Sequence, residues 1–236
     1  MKALVIPDVH LKPWMFRRAV EILESGTAER AVCLMDIADD FDKGLHINLY
    51  EEAYEAAIEL AKNFPATLWC YGNHDLSYDW GYLESGYSPY AESTVLRKLA
   101  ELRKTLQNNL QLAYVHRIDN VLFSHSGVTQ EFVKNHVPSR KRRDTDFVIG
   151  LINVLGRNEM WNDTSPIWAR PQHGGVKMYR EKSMLQVVGH TPVRRIIQTG
   201  NLISCDVFST YRDGTPAGTQ EFLLLDTITW EWEGIK

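Results

Sequence analysis

A chain of 236 residues with 44% hydrophobic side chains can bury one sizeable core. Its formal net charge of -4 gives no general pull toward nucleic acid or anionic membrane. No apolar stretch approaches the roughly 20 residues that span a bilayer, so neither stable nucleic-acid binding nor a membrane partner is expected.

The chain opens on a continuous apolar run, Lys2 to Ile6, which reads as a strand buried on both faces and ends at Pro7-Asp8-Val9-His10. Pro13 suits the first turn of a helix that runs to about Ser25 and closes at Gly26. Ala31-Val32-Cys33-Leu34 is the next strand, stopping at Met35-Asp36. Tyr50, Ala53, Tyr54, Ala57, Ile58 and Ala61 recur at helical spacing within 45–63, and Pro65 separates that helix from the strand Ala66 to Cys70. Strand, helix, strand, helix, strand is a βαβαβ unit with a parallel sheet.

The Tyr-, Gly- and Ser-rich segment Leu76 to Pro89 predicts a loop over the strand ends. Thr94 to Asn108 predicts an amphipathic helix. Leu112 to Val115 and Val121 to Phe123 predict a hairpin around Asp119-Asn120. Helical pieces over 129–136 and 144–155 lead into an irregular stretch from Arg157 to Gly175. Strands are expected at Met184 to Val188, Arg194 to Gln198, Leu202 to Val207 and Glu221 to Leu225. With no repeat or linker, residues 1–236 read as a single domain, parallel in its first half and more antiparallel in its second. Cys33, Cys70 and Cys205 lie singly in apolar runs, which indicates reduced core thiols. The strand-like start without a leader pattern adds to that, and the expected compartment is the cytoplasm.

The strands share one habit: they stop at an oxygen or imidazole ligand. Asp8-x-His10, Asp36, Asn73-His74, His125 in Ser-His-Ser-Gly and His190 in Gly-His-Thr-Pro each follow an apolar run. Any one of these alone is more often a hydrogen-bonded turn residue than a ligand. Five in register at strand ends form a donor set suited to Mn, Fe, Zn, Ni or Co. Six such ligands exceed the need of one tetrahedral ion, whereas two ions sharing a carboxylate would use them all.

These motifs, in this order and spanning residues 8 to 192, resemble the calcineurin-like metallophosphoesterase superfamily. Gly189-His190-Thr191-Pro192 has proline where many phosphodiesterases and nucleases of the superfamily carry a second histidine. In this it is similar to the phosphoprotein-phosphatase branch, including lambda-type phosphatases and diadenosine tetraphosphatases. The resemblance implies a four-layer α/β/β/α sandwich of two mixed sheets. It also implies a phosphatase with two transition-metal ions, manganese favoured, and a shared water as nucleophile. It assigns Asp8, His10 and Asp36 to one ion and Asp36, Asn73, His125 and His190 to the other. It makes His74 the general acid backed by Asp39, and Arg170 of Trp168-Ala169-Arg170 a phosphate ligand, with Asn73 beside the substrate.

Three positions depart from the family pattern: Met35 for a glycine, and Asp40 and Tyr71 for phosphate-binding arginines. The implied substrate is a phosphorylated small molecule, nucleotide or phosphoprotein. Dinucleoside-polyphosphate or phosphodiester hydrolysis is the alternative chemistry, and a non-catalytic scaffold the alternative role. The basic run Arg140 to Arg143 reads first as a solvated helix start. The aromatic residues Tyr78 to Tyr90 stack on a base, cap the cleft, meet a second subunit or fold on themselves.

Overall fold

Runs that can be buried on both faces became the inner strands, and runs with one apolar stripe became the helices that cover them. The computed structural model describes residues 1–236. Its first half contains β1 (Lys2–Ile6), α1 (Pro13–Glu24), β2 (Arg30–Cys33), α2 (Ile47–Asn63), β3 (Leu68–Cys70), α3 (Asn73–Trp80) and α4 (Glu92–Thr105). The middle contains β4 (Leu112–Ala113), β5 (Val115–Ile118), β6 (Val121–Ser124), α5 (Gln130–His136), α6 (Thr145–Ile152) and α7 (Arg157–Met160). The last part contains β7 (Leu185–Val188), β8 (Ile197–Thr199), β9 (Leu202–Ser204), β10 (Phe222–Asp226) and β11 (Trp232–Ile235).

Two mixed sheets result, ordered β11-β10-β1-β2-β3-β4 and β5-β6-β7-β9-β8. In the first, β1 to β4 are parallel and β10 and β11 add antiparallel at one side. In the second, β6, β7 and β9 are parallel between antiparallel β5 and β8. One core cluster joins α1, α2 and α4 to the first sheet and continues into Val121, Phe123, Leu185, Val187 and Ile203 of the second. Phe132, Val133, Val148, Ile152 and Met160 from α5 to α7 seal the outer face of the second sheet. The architecture is the expected four-layer α/β/β/α sandwich.

Two local expectations fail for physical reasons, and one strand has no counterpart among them. The segment read as a loop from Leu76 begins inside a helix, α3. Its residues are indifferent helix formers, but Asp36 accepts the His74 N–H at 2.9 Å and so caps the helix from the loop after β2. The apolar run Leu112 to Val115 does not stay in one hairpin. Leu112 and Ala113 pair with β3 in the first sheet, and Val115 starts the second. Asn153 makes that crossing affordable in hydrogen bonds: its Oδ1 accepts from Tyr114 N–H and Val115 N–H, and its amide donates to Val115 O. Finally, β11 pairs with β10 although its sequence carries several charges, because an edge strand tolerates them.

His116 of β5 donates from Nε2 to Trp69 O of β3 at 2.9 Å, stitching the two sheets together. Burial, more than any neighbouring charge, lowers its proton affinity below the ordinary histidine value. Above that value neither the folded nor the unfolded chain is protonated there. As pH falls below it, the unfolded chain binds a proton that the folded one refuses, so stability declines. We therefore expect His116→Gln to flatten the fall in urea midpoint between about pH 6.5 and pH 5, relative to the parent.

Candidate metal centre

The loops that leave β1 and β2 are bonded to each other before they present any ligand. His10 N–H donates to Asp36 O at 2.7 Å and Leu11 N–H to Ile37 O at 3.0 Å. Met35, Asp36, Asp39, His10 and His190 all have positive φ, between 43° and 63°. Left-handed backbone at residues with side chains costs about 1–3 kcal/mol each and persists only where surrounding contacts over-determine it. Here the buried Asp75 carboxylate accepts Ile37 N–H at 3.1 Å and Ala38 N–H at 3.4 Å, and Tyr54 Oη donates to it at 2.5 Å. Met35 occupies the family's glycine position at φ 58 with its side chain fully buried in the core, so packing offsets the backbone cost.

The ligand atoms converge in two groups that share Asp36: Asp8, His10 and Asp36, and Asp36, His125 and His190. His125 Nδ1 donates to Leu34 O at 2.9 Å, which directs Nε2 inward. That Nε2 lies 3.0 Å from Asn73 Oδ1, 3.1 Å from His190 Nδ1 and 3.2 Å from Asp36 Oδ2. Electron-pair donors bonded at about 2.1 Å to one octahedral ion sit about 3.0 Å apart along each edge. The spacing therefore fits a bound cation.

Electrostatics point the same way. Burial opposes a charge on His125, but the Asp36 and Asp8 carboxylates outweigh it and lift His125 to about 10. Asp36 is held far below the usual carboxylate range: burial works against this, and the His125 and His74 charges override it. His190 is kept neutral by burial and by His125. The cluster demands positive charge, which a proton or a metal ion can supply. His10 Nδ1 donates to Asp39 O at 2.9 Å, leaving its other nitrogen for the first group. Two glycines let the carboxylates in. A Cβ on Gly189 would lie 1.8 Å from Asp8 Oδ1, and one on Gly72 would lie 2.0 Å from Asp36 Oδ1.

His74 stands beside the centre with Nδ1 3.0 Å from Asp39 Oδ2. The other oxygen of Asp39 accepts from Tyr50 Oη at 3.0 Å and Tyr78 Oη at 2.5 Å. Burial resists protonation of His74, but the Asp36 charge and the Asp39 hydrogen bond raise it to about 9. The tyrosines were legible only as helix and loop residues, since nothing local links them to Asp39.

A cleft of about 520 Å³ opens over these groups, with Trp168, Arg170, Asp206, Ser209, Thr210 and Arg212 among its lining. Arg170 is half-buried and donates to His190 O at 3.3 Å and Thr191 Oγ1 at 3.2 Å. Asp40, at the family's arginine position, pairs with Lys12 at 3.3 Å and accepts from Thr210 Oγ1 at 3.0 Å. Tyr71 instead meets Arg103 Nη2 at 3.2 Å, and that arginine forks onto Asp79.

Every sequence-predicted ligand, the His74–Asp39 pair and Arg170 are brought together at one cleft; His173, the basic run and the aromatic segment are not. His173 is exposed away from the cleft. In the basic run, Arg142 turns back to Val137 O and Lys134 O. The aromatic segment folds on its own neighbours: Tyr87 stacks on Tyr78 at 4.4 Å, and Trp80 and Tyr82 pack on Trp161. Nothing local marks Asp206, which lies within the apolar run Leu202 to Val207 that reads as one strand. The strand ends at Ser204.

The family model described as calcineurin-like phosphoesterase matches residues 1–207. Among solved structures, a cold-active protein-tyrosine phosphatase of a psychrophilic Shewanella is similar with a TM-score of 0.57 at 15% identity. That likeness covers 100% of this chain and 80% of that one. A protein serine/threonine phosphatase of Saccharomyces cerevisiae is similar at TM-score 0.53 and 14% identity, over 100% and 80% of the two chains. At these identities the likeness shows the fold. No curated protein matches the sequence.

Gly189→Ala is expected to force the Asp8 carboxylate aside while leaving the core untouched. Elemental analysis should then show about one divalent ion per chain fewer than in the parent, with an unchanged far-ultraviolet circular dichroism spectrum.

Proposed function

The chain belongs to the calcineurin-like phosphoesterase family and is a phosphoesterase; from that membership we propose that it hydrolyses phosphomonoesters at a two-metal centre. The observation that carries this reading is Asp36, whose carboxylate belongs to both ligand groups. Asp8, His10 and Asp36 would hold one ion, and Asp36, Asn73, His125 and His190 the other. Bound there, two ions would polarise the phosphoryl oxygens and acidify a water enough to attack near neutral pH. Manganese is the ion we would supply first, since the donors are all oxygen and imidazole nitrogen.

The chain's own groups account for the rest. His74, held by Asp39, carries a proton at neutral pH and donates it to the departing alkoxide. Arg170 reaches the phosphate with a guanidinium that has no carboxylate partner. Asn73 lines the cleft beside it. Beyond Arg170 the lining bears Asp40, Asp42 and Glu84 against Arg212. A run of further phosphates would meet more negative than positive charge there, which favours a monoester over a dinucleoside polyphosphate. No helix is long and apolar enough to cross a membrane, and all three cysteines are buried and free. A cytoplasmic site of action accords with those thiols.

Near two metal ions per parent chain, with sharp loss in Asp36→Asn, is the expected result of elemental analysis. Little metal after incubation with Mn²⁺ would sink the reading. His74→Asn should slow hydrolysis of an alkyl phosphate by about 10²–10⁴-fold and spare a nitrophenyl ester, whose leaving group needs no proton. An equal loss on both substrates would remove the acid role.

A further inference from the structure

Helix α6 is apolar on two of its faces. One face turns Val148 and Ile152 into the core over the second sheet. On the other, Phe147 is 38% exposed and Val154 77% exposed, with Leu151 half-buried between them. Positions 147, 151 and 154 stand at i, i+4 and i+7, so they line one stripe. Val154 N–H donates to Leu151 O at 3.2 Å, which keeps Val154 on the winding of the helix just past its end. Apolar residues scattered singly over a surface mean little, but a contiguous stripe marks a contact surface.

Cations rim this stripe. Lys141 Nζ lies over the Phe147 ring, 5.0 Å from its centroid. Arg142 reaches Lys134 O of α5 at 2.7 Å, and Arg180 reaches Arg143 O at 3.2 Å. The basic run is thereby gathered with two further basic segments that are distant in sequence. The acids there are mostly taken: Asp144 lies 4.0 Å from Lys141, Asp146 2.7 Å from Arg117 and Glu181 3.7 Å from Lys177. Within 130–146 and 177–182 that leaves Glu131 against Lys134, Arg140, Arg142, Arg143, Arg180 and Lys182, none of which forms an ion pair.

The net charge of -4 points away from an anionic surface, but it is a sum over the whole chain. At 0.1 M salt the Debye length is about 10 Å, so acids elsewhere on the molecule are screened from whatever meets this face. The two features together select the partner. A nucleic-acid backbone would use the cations and leave Leu151 and Val154 in water. An anionic lipid surface uses both, since headgroup charge meets the cations and a convex apolar stripe enters the layer beneath.

We propose that α6 and the basic run before it dock the chain on an anionic lipid surface, with Phe147, Leu151 and Val154 entering the boundary between headgroups and acyl chains. The inference goes beyond the phosphoesterase reading and does not depend on the metal centre.

The test is co-sedimentation of the full chain with vesicles of phosphatidylserine and phosphatidylcholine, beside vesicles of phosphatidylcholine alone. The parent should pellet with the mixed vesicles, stay in solution with the neutral ones, and be released by high salt. Arg140→Gln combined with Arg143→Gln should lower the partition coefficient about 20-fold, at about 5-fold for each cation near the surface. Val154→Ser, at the most exposed position of the stripe, should lower it several-fold without altering the melting temperature. A parent that stays in solution with the mixed vesicles would overturn the inference. So would variants that pellet like the parent, or a parent that binds a single-stranded oligonucleotide and ignores the vesicles.

Discussion

The structure turns on the Asp36 carboxylate, which must be buried and ionised at the junction of two sheets. One oxygen caps α3 through His74 N–H, and the other lies against His125 Nε2. Through that one side chain β2, α3 and β6 are tied to a single point. Burying an isolated charge is prohibitive, so the surroundings must supply opposite charge and hydrogen bonds. The histidines do so in part, and the shared position of Asp36 between two ligand groups is where cations would complete the balance.

Holding Asp36 there strains the backbone, and the strain is contained by a second layer of polar contacts. Asp75 grips the two N–H groups that follow Asp36 in the chain, and Tyr54 grips Asp75 from α2. Tyr50 and Tyr78 treat Asp39 in the same way, fixing the carboxylate that faces His74. The loop beyond α3 closes this arrangement: Ser88 N–H donates to Tyr78 Oη at 2.8 Å, and Ser88 Oγ bonds Gly44 O across the cleft wall. Two segments that line the cleft thereby rest on the His74–Asp39 pair. Core helices, left-handed turns and ligands form one mechanical unit.

The departures from the family pattern leave this unit intact. Met35 is absorbed by the core, whereas Asp40 changes the cleft from within. Paired with Lys12 and bonded to Thr210, Asp40 joins the loop after β2 to the loop after β9. The position has become part of the wall's own bonding, and Arg170 is left as the guanidinium nearest His190. The candidate ligands are thus kept together while the wall of the cleft differs from the family pattern.

The linear chain carried the layers and the strand-end polar residues. Two-sided burial writes itself as continuous apolar runs, and a strand that empties into a site must end at the residue it delivers. Asp8, His10, Asp36, Asn73, His125 and His190 were therefore legible, as was the four-layer sandwich through the family resemblance they support. Tertiary structure alone decided the rest. It made α3 a helix by capping it from Asp36, and it split Leu112 to Val115 between two sheets with Asn153 taking the freed hydrogen bonds. It also set Tyr50 and Tyr78 on Asp39 and left Asp206 buried with one hydroxyl donor. Each of these depends on groups distant in sequence meeting where water is excluded. Local periodicity reports which face of an element is apolar, but not which polar group it will meet there.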